Sequence, residues 1–400
     1  MSLALSFSSG AHAQSAVRLD RETVIALARA HAPEVRVAEA RVAEAQAMRI
    51  GGRIFAGINP EIGLTAGPRW PGPGANQPLS ADVTLSLAWP LDVSGTRMAR
   101  GAWASALVRW AQAALDEARW NAVAEALDLW VRVLGADERI RLEQARSELD
   151  EAVAHIAQAR RSAGTSGDGD VALATMVRAD GQSRLRLAQG ERDALVEQLR
   201  LRVGLSSDTP VTVEGTLDVT DPAPLEQLVA ALSARQDVVR AGLLVDTARQ
   251  DLEVQRRLGT PVPRVTVIAG RENELFARGG IDVPLPLYQR NQMAVAGAEA
   301  RVYTGGVERA VALDRARSEL RGAYTRYRAA RVALDALESA RTAVDDAERF
   351  AMRAYELGQR DLASAVLTRR ESGLARLGRL DGRIALARAR VTVDHAAGRR

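Results

Sequence analysis

Acidic side chains in two short turns are the strongest candidates for a functional site in this sequence. The turn GTSGDGD contains Asp168 and Asp170, and the turn GQRD ends on Asp361. One interpretation is a site that attracts cations. The other is helix capping, because Asp170 and Asp361 each stand where a helix is predicted to begin, and a carboxylate there accepts hydrogen bonds from N–H groups of the first turn. Gly164 and Gly358 are predicted to form the bends.

No other set of residues points to catalysis or to metal binding. The four histidines, at positions 12, 31, 155 and 395, are isolated in the sequence, and there is no cysteine. Zinc sites need such ligands in close groups. GTSGDGD is only weakly similar to a phosphate-binding loop and lacks the lysine that such loops use. We therefore predict no enzyme activity, no cofactor and no metal site.

Composition favours long helices over a thick globular core. Aromatic residues make up only 4% of the 400 residues, and the formal net charge is +4. Arginines are interspersed with acids, whereas a nucleic-acid site needs positive charge clustered on one face, so we predict no nucleic-acid partner. There is no apolar run of about 18 residues, the length of a transmembrane helix. The AHA before Gln14 has the form of a signal-peptidase site, so 1–13 is predicted to be a signal-peptide remnant.

An internal repeat organises the chain. The segment HAPEVRVAEARVAEAQ aligns with ARQDVVRAGLLVDTAR at an offset of 203 residues, which also carries Pro60 onto Pro263. Further on, Gly164 aligns with Gly358 at an offset of 194, as a shorter loop in the second copy would require. Each copy is predicted to run helix, strand, strand, very long helix, tight turn, helix.

The predicted boundaries follow from this order. The first repeat is 14–203, with strands at about 60–68 and 81–91 and a tip at 164–170; a non-helical connector at 204–224 leads to the second repeat, 225–400, with strands at about 263–270 and 280–287 and a tip at 358–361. A helix of 65–70 residues would be roughly 100 Å long, so the long helices are predicted to form coiled-coil walls.

The predicted strands alternate apolar and polar residues and are long enough to cross a bilayer when tilted. Four strands cannot close a barrel, and an open sheet edge is not tolerated in lipid, so several chains would have to pool their strands. A small soluble sheet with one solvated face is the alternative. Prolines mark where strand gives way to helix, at Pro90 in the first repeat and at Pro284 and Pro286 in the second, because proline cannot donate to a sheet ladder.

These segments resemble the outer membrane efflux proteins, the TolC-like family, from about residue 20 to 398. GIDVPLPLYQRNQ is similar to the strand-to-helix junction of the members that serve cobalt–zinc–cadmium-type cation efflux, with Pro284, Pro286, Arg290 and Asn291 matching. AYELGQRDL resembles the periplasmic tip motif of the family. LVAALSARQDVVRA resembles the helix that opens the second repeat, although Gln236 stands where proline is usual.

The resemblance implies a mainly α-helical fold with a membrane β part. Three copies would form a 12-stranded β-barrel in the outer membrane of a Gram-negative bacterium and a 12-helix α-barrel in the periplasm. The homotrimer would contact outer-membrane lipid, a periplasmic adaptor (membrane fusion) protein and an inner-membrane RND pump. Its role would be that of a passive exit duct, and the cargo would be heavy-metal cations.

The resemblance also bears on the tips. In drug- and protein-exporting relatives, aspartates just after the second tip narrow the entrance as a ring, but the matching positions here are Ser364 and Leu367. The acids near the tips are the three aspartates named above. On a three-fold axis each would occur three times and attract cations, and Asp361 could pair with Arg360 to latch the tip.

Two alternatives remain open at this point. Within the same fold, the duct could serve drug or solvent efflux or type I protein secretion. In a different class, the chain could be a soluble coiled-coil scaffold, although a scaffold has no need for four membrane-length strands at matching places in two repeats.

Overall fold

The computed structural model describes residues 16–54, 59–70, 80–272 and 274–399. Its helices are α1 (Arg21–His31), α2 (Pro33–Met48), α3 (Thr96–Ser162), α4 (Asp168–Arg202), α5 (Leu225–Ala230), α6 (Gln236–Leu258), α7 (Gln292–Ser339), α8 (Arg341–Glu356) and α9 (Leu362–Ala396). Its strands are β1 (Val17–Leu19), β2 (Glu61–Arg69), β3 (Ser80–Pro90), β4 (Val211–Val213), β5 (Arg264–Arg271) and β6 (Leu275–Asp282). The proposed signal-peptide remnant, 1–13, lies outside the described residues.

Two compact units make up the chain, and each draws on both sequence repeats. The first, here the helical unit, contains the described residues of 1–37, 118–235 and 315–400. The second, the sheet unit, contains 38–117 and 236–314. The division predicted from sequence therefore gives the order of elements along the chain and not the compact units, because α3 and α7 each contribute residues to both.

The repeat itself is visible in the backbone. Helices α4 and α9 both have 35 residues and follow the two tips. Gly164 and Gly358 both have positive φ, and so do Gly204 and Gly398, which follow α4 and α9. These conformations favour glycine, so the two copies share their turns as well as their order of elements.

The connector at 204–224 is non-helical, as predicted, but it contains a strand that sequence analysis missed. Strand β4 pairs in parallel with β1, and the Nε1–H of Trp130 in α3 donates to the carbonyl of Leu19 at 3.0 Å. Leu19 is fully buried in the main core of the helical unit. The connector is thereby fixed to the start of the described chain by a ladder of three residue pairs.

Two helices predicted as continuous are broken at matching points. The first break is at Ala32, which has ψ of 142° because the following residue, Pro33, excludes the helical conformation. Arg235 has nearly the same conformation, with ψ of 139°, although Gln236 follows it. Here the buried guanidinium of Arg235 stabilises the non-helical conformation, since it donates to the carbonyl of Ala396 and pairs with Glu319 at 2.8 Å.

The second long helix is also interrupted, between α7 and α8. Ala340 has φ of −86° and ψ of −7°, and the hydroxyl of Ser339 donates to the carbonyl of Ala336 at 2.7 Å. A serine that bonds to a nearby backbone carbonyl competes with the helical hydrogen bonds. None of the helices in the described part of the chain combines the length and the hydropathy that a bilayer crossing requires.

The sheet unit contains a four-stranded antiparallel sheet in the order β2-β3-β5-β6. Strands β2, β3 and β5 lie close to their predicted positions. The fourth strand was expected at 280–287, but β6 spans Leu275–Asp282, and the segment 271–279 expected to be a loop is mostly strand. The hairpin between β5 and β6 is tighter than expected, with the N–H of Glu272 donating to the carbonyl of Glu274 at 3.3 Å.

The prolines explain where β6 ends. Its last residue, Asp282, pairs with Arg264, the first residue of β5. Beyond that point β5 offers no partner, and Pro284 and Pro286 have no N–H to give to any ladder. The alternation of apolar residues continues through Leu287, which is why periodicity alone placed the strand too far along the chain.

Candidate functional sites at the tips and the junctions

Both helical tips end in the same backbone motif. At the first tip, the N–H of Gly164 donates to the carbonyl of Arg161, and the N–H of Thr165 donates to that of Arg160, each at 2.9 Å. At the second tip, the N–H groups of Gly358 and Gln359 bond to the carbonyls three and five residues back in the same way. This arrangement is a Schellman motif, which satisfies the last carbonyls of a helix and requires a residue of positive φ.

Entry into the next helix differs between the tips. Asp361 is the N-cap of α9 and accepts a hydrogen bond from the N–H of Ser364 at 3.3 Å and another from its hydroxyl. The hydrogen bond from the Ser364 side chain holds the pKa of Asp361 below its usual value. Ser364, which the family resemblance matches to an aspartate position, thus serves the cap. Arg360 is electrostatically close to Asp361 but forms no ion pair with it in the described structure.

The expectation that Asp170 is an N-cap was wrong. Helix α4 begins two residues earlier, at Asp168, and its N-cap is Gly167, which has no side chain to bond. Asp170 lies within the first turn and accepts a hydrogen bond from the hydroxyl of Ser166. Asp168 pairs with Arg161 at 2.6 Å while remaining 81% exposed. Its carboxylate therefore holds the end of α3 against the start of α4.

Arg160 joins the two tips, and sequence analysis missed it. Its guanidinium donates to the carbonyl of Tyr355 at 3.2 Å and lies 5.0 Å from the centre of the Tyr355 ring. Tyr355 is 1% exposed and packs in a small core with Leu362 and Val153. Two arginines stand side by side in the sequence at this point, and nothing in the pattern distinguishes the one that reaches the second tip.

A layer of buried charge lies further along the same four helices. Arg369 in α9, 5% exposed, pairs with Asp150 of α3 at 3.4 Å and with Glu348 of α8 at 3.6 Å. Arg184 of α4 pairs with Asp150 at 3.5 Å and with Glu143 at 3.2 Å. Burial raises the pKa of Asp150 and lowers that of Arg369. These contacts tie all four helices together, and removing one partner would leave buried charge uncompensated.

The first strand-to-helix junction is held by a carboxylate. Pro90 is the last residue of β3, as predicted. Asp92 accepts hydrogen bonds from the hydroxyl of Ser94 at 2.9 Å and from the N–H of Arg97 at 3.2 Å. Burial alone would raise the pKa of Asp92, but these bonds hold it below its usual value. Gly95, with φ of 71°, precedes α3 directly.

The second junction uses the matching residues Arg290 and Asn291. Asn291 has φ of 59° and is the one residue other than glycine with positive φ among the described residues. Its Nδ2 donates to the carbonyl of Gln255, in the last turn of α6, at 2.7 Å. The Nε–H of Arg290 donates to the carbonyl of Pro286 at 2.9 Å. The segment after the prolines is thus fixed both to itself and to α6.

Strand pairing gives the sheet one apolar and one polar face. The register places directly opposed residues on the same side. One side carries only one charged residue, Arg271; its larger apolar members are Ile62, Leu64, Val83, Leu85, Leu87, Trp89, Val265, Val267, Leu275 and Ile281. The other side is polar and includes the ion pairs Arg69–Asp82 at 3.0 Å and Arg264–Glu61 at 3.4 Å.

The apolar face is open to the surroundings. Ile62 is 76% exposed and Leu275 is 86% exposed, and both belong to the outermost strands. An exposed apolar surface of this kind is typical of a site that meets another protein or a membrane. In the part of the chain that the structure describes, no group of three His, Asp or Glu side chains is placed to hold a metal ion.

Residues 24–205 match the model of the family described as "Outer membrane efflux protein". The chain carries an outer membrane efflux protein domain. The match includes β2 and β3 of the sheet with the apolar face. It agrees with the predicted family and with the predicted outer-membrane location.

Individual proteins support the same conclusion. The chain is 27% identical to the cobalt-zinc-cadmium resistance protein CzcC of Cupriavidus metallidurans over 213 residues, which cover 52% of the chain. The match spans about half the length of that relative, 51%.

Among solved structures, CusC superposes with a TM-score of 0.75 at 17% identity, with 95% of this chain and 92% of that chain covered. VceC of Vibrio cholerae superposes with 0.75 at 18% identity, covering 94% and 96%. At these identities the likeness establishes the fold alone, and it confirms the predicted TolC-like fold over nearly the whole chain.

Proposed function

We propose that three copies of this chain form the outer-membrane duct of an efflux system for heavy-metal cations. The observation that carries the proposal is the four-stranded sheet with a single apolar face. Lipid contact explains why that face is exposed, and a water-filled interior explains the polar face opposite.

The edges of the sheet support three copies. Strands β2 and β6 each pair on one side only within the described sheet. Unpaired N–H and C=O groups are not tolerated in the hydrocarbon region, so the sheet has to close on itself. Four strands are too few for a barrel, whereas β6 of one copy can pair antiparallel with β2 of the next. Three copies give a barrel of 12 strands, as the family resemblance implies.

The cargo is proposed from the relative named for cobalt, zinc and cadmium resistance. Metal selectivity would then belong to the partner pump, because the described residues of the duct offer no grouped ligands. The tip acids Asp168, Asp170 and Asp361 would favour entry of cations by their charge. A periplasmic adaptor and an inner-membrane RND pump are the proposed partners, and the tips, from Gly164 to Asp170 and from Gly358 to Ser364, are the proposed contact surface.

The absence of cysteine from the sequence permits a direct test of the trimer. Thr65→Cys in β2 combined with Arg278→Cys in β6 places one thiol on each edge strand. Treatment of outer membranes with a flexible bismaleimide should then give covalent trimers on denaturing gels. Either single variant should give no species larger than a dimer. Exclusively monomeric product from the double variant would contradict the proposal.

The cargo requires a separate test in cells. Deleting the gene should lower tolerance of zinc, cobalt or cadmium, and the plasmid-borne chain should restore it. Loss of drug or solvent tolerance with unchanged metal tolerance would instead favour the drug-efflux alternative. The family match argues against the soluble scaffold.

A further inference from the structure

A small cavity in the helical unit lies beside the layer of buried charge. It has a volume of about 180 Å³ and lies between α3, α8 and α9. Its charged lining residues are Glu143, Arg146, Glu348, Arg369 and Arg376. Three guanidinium groups therefore face two carboxylates across a space with room for several water molecules, since one water takes up about 30 Å³ in the liquid.

The carboxylates of the lining already have partners. Glu143 pairs with Arg184, and Glu348 pairs with Arg376 at 2.5 Å and with Arg369. Arg376 also binds Asp345 at 2.8 Å. No acidic group of the lining is left to neutralise a further cation.

Arg146 differs from the other arginines of this layer. Across the described residues, its guanidinium forms neither a hydrogen bond nor an ion pair, although the side chain is only partly exposed. Burial, followed by the nearby charge of Arg184, lowers its pKa. A partly buried guanidinium without a partner is unfavourable, because all its donors need acceptors once water is removed.

The backbone makes room for this arginine. A Cβ added at Gly373 of α9 would lie 3.1 Å from Cζ of Arg146. A side chain at this position would therefore require the guanidinium to shift by a few tenths of an ångström. Glycine in the middle of a helix is less favourable than alanine. At Gly373 the missing side chain leaves space that the guanidinium of Arg146 occupies.

We propose that this cavity binds one oxyanion group, of the phosphate, sulfate or carboxylate class, with Arg146 as its principal ligand. The planar guanidinium presents paired N–H groups that match the oxygens of such a group. Arg369 and Arg376 also line the cavity, but both are already paired with carboxylates, so Arg146 carries the charge that is left without an ion pair. The group can come from a free anion or from an acidic side chain of another polypeptide, and both sources supply the same chemistry. The proposal is independent of the cargo and of the number of copies in the duct.

Calorimetric titration of the detergent-purified full-length protein with inorganic phosphate tests the free-anion source. The buffer contains chloride at constant ionic strength, and acetate serves as a second probe. We expect saturable binding to the wild-type protein, weakened at least about tenfold in Arg146→Gln, because a charged hydrogen-bonded pair contributes about 1.5–3 kcal/mol. Arg186→Gln is the matched control, since Arg186 is exposed on α4 and does not line the cavity. It should bind like the wild type.

A second variant tests the position of the Arg146 guanidinium separately from its charge. Gly373→Ala keeps every charge but shifts the guanidinium by a few tenths of an ångström, so it should weaken phosphate binding less than Arg146→Gln does while the protein stays folded. This variant also keeps the proposal testable if Arg146→Gln does not fold.

Binding of an acidic side chain from another polypeptide predicts a different set of results. If an acidic side chain of a second polypeptide fills the cavity, the wild-type protein will not bind phosphate, and Arg146→Gln will weaken the oligomer or its adaptor complex while Arg186→Gln will not. The proposal is wrong if phosphate and acetate do not bind and Arg146→Gln matches Arg186→Gln in both assembly and melting temperature. It is equally wrong if phosphate binds all four proteins alike.

Discussion

The two repeats have nearly the same backbone at their turns but different side-chain contacts around them. Both tips close with a Schellman glycine, and both long helices start after a residue of positive φ, Gly95 in one repeat and Asn291 in the other. Around these shared turns, the side chains that form hydrogen bonds differ between the two repeats. Asp361 caps α9, whereas Gly167 leaves α4 without a side-chain cap. Duplication has therefore preserved the dihedral angles, and each copy has acquired its own stabilising contacts.

The buried charge shows the same divergence on a larger scale. At the offset that superposes α4 on α9, Arg369 corresponds to Thr175, and Asp150 corresponds to Val344. Thr175 is exposed and bonds only to the carbonyl one turn back, at 2.8 Å. The second repeat thus supplies the buried cation Arg369 and the buried acid Glu348, while the first repeat supplies the buried acids Asp150 and Glu143. The two copies are complementary and no longer interchangeable in this layer.

The largest expected effect follows from breaking that complementarity. Arg369→Ala removes one of the two arginine partners of Asp150 and one of the two of Glu348, which leaves Arg184 and Arg376 as their remaining cations in a buried site. We expect a loss of about 3–5 kcal/mol in the free energy of unfolding, because removing one member of a buried ion pair is strongly destabilising. Denaturant unfolding in detergent measures it.

The matched control is Thr175→Val at the corresponding position of the first repeat. It should change the free energy of unfolding by no more than about 0.5 kcal/mol, since surface substitutions rarely do more. If the two variants were equally destabilising, the layer would not be asymmetric in the way that the contacts indicate.

An intermediate effect is expected at the junctions. Asn291→Ala loses the hydrogen bond to Gln255 and places alanine in a left-handed conformation, so it should cost about 1–3 kcal/mol. Asn291→Gly keeps the conformation and should cost less. Gly95→Asn should be tolerated, whereas Gly95→Ala should cost about 1–2 kcal/mol.

Thermal unfolding of these four variants tests whether both junctions require a residue with positive φ. In both repeats the alanine variant should have the lowest melting temperature. The variant that exchanges asparagine and glycine should melt closer to the wild type. A Gly95→Ala variant as stable as the wild type would show that the left-handed residue is not needed at the first junction.

The parts of the molecule that depend on local pattern could be predicted from the sequence. The repeat, the tip glycines and three of the four long strands follow from periodicity and turn chemistry, which act over a few residues. The fourth strand was placed too late because Val283, Leu285 and Leu287 continue the alternation past the point where a partner strand exists. Strand pairing, and not periodicity, decides where a strand ends.

Contacts between distant segments could not be predicted. Arg160, Arg146 and Arg369 are three of many arginines in a chain without lysine, and only the packing of four helices separates a buried one from an exposed one. The contact between Gly373 and Arg146 could not be predicted either. In a sequence, a glycine within a helix indicates a position of low helix propensity and does not indicate space for another side chain. The cap at Asp361 was foreseen because it depends on the three residues that follow it.

The smallest expected effect concerns the caps. The pKa of Asp361 lies below its ordinary value of 3.8, chiefly because the Ser364 side chain bonds to the carboxylate. An acid whose pKa is lowered on folding stabilises the folded state above its unfolded pKa, and the stabilisation is lost as the pH falls through the folded pKa. Amide exchange in the first turn of α9 should therefore accelerate, beyond its intrinsic pH dependence, as the pH falls below about 3.8. Asp361→Asn should abolish this acceleration in α9, because an amide side chain does not ionise in this range. Unchanged acceleration in Asp361→Asn would mean that other groups of the tips, and not the aspartate cap, respond to acid.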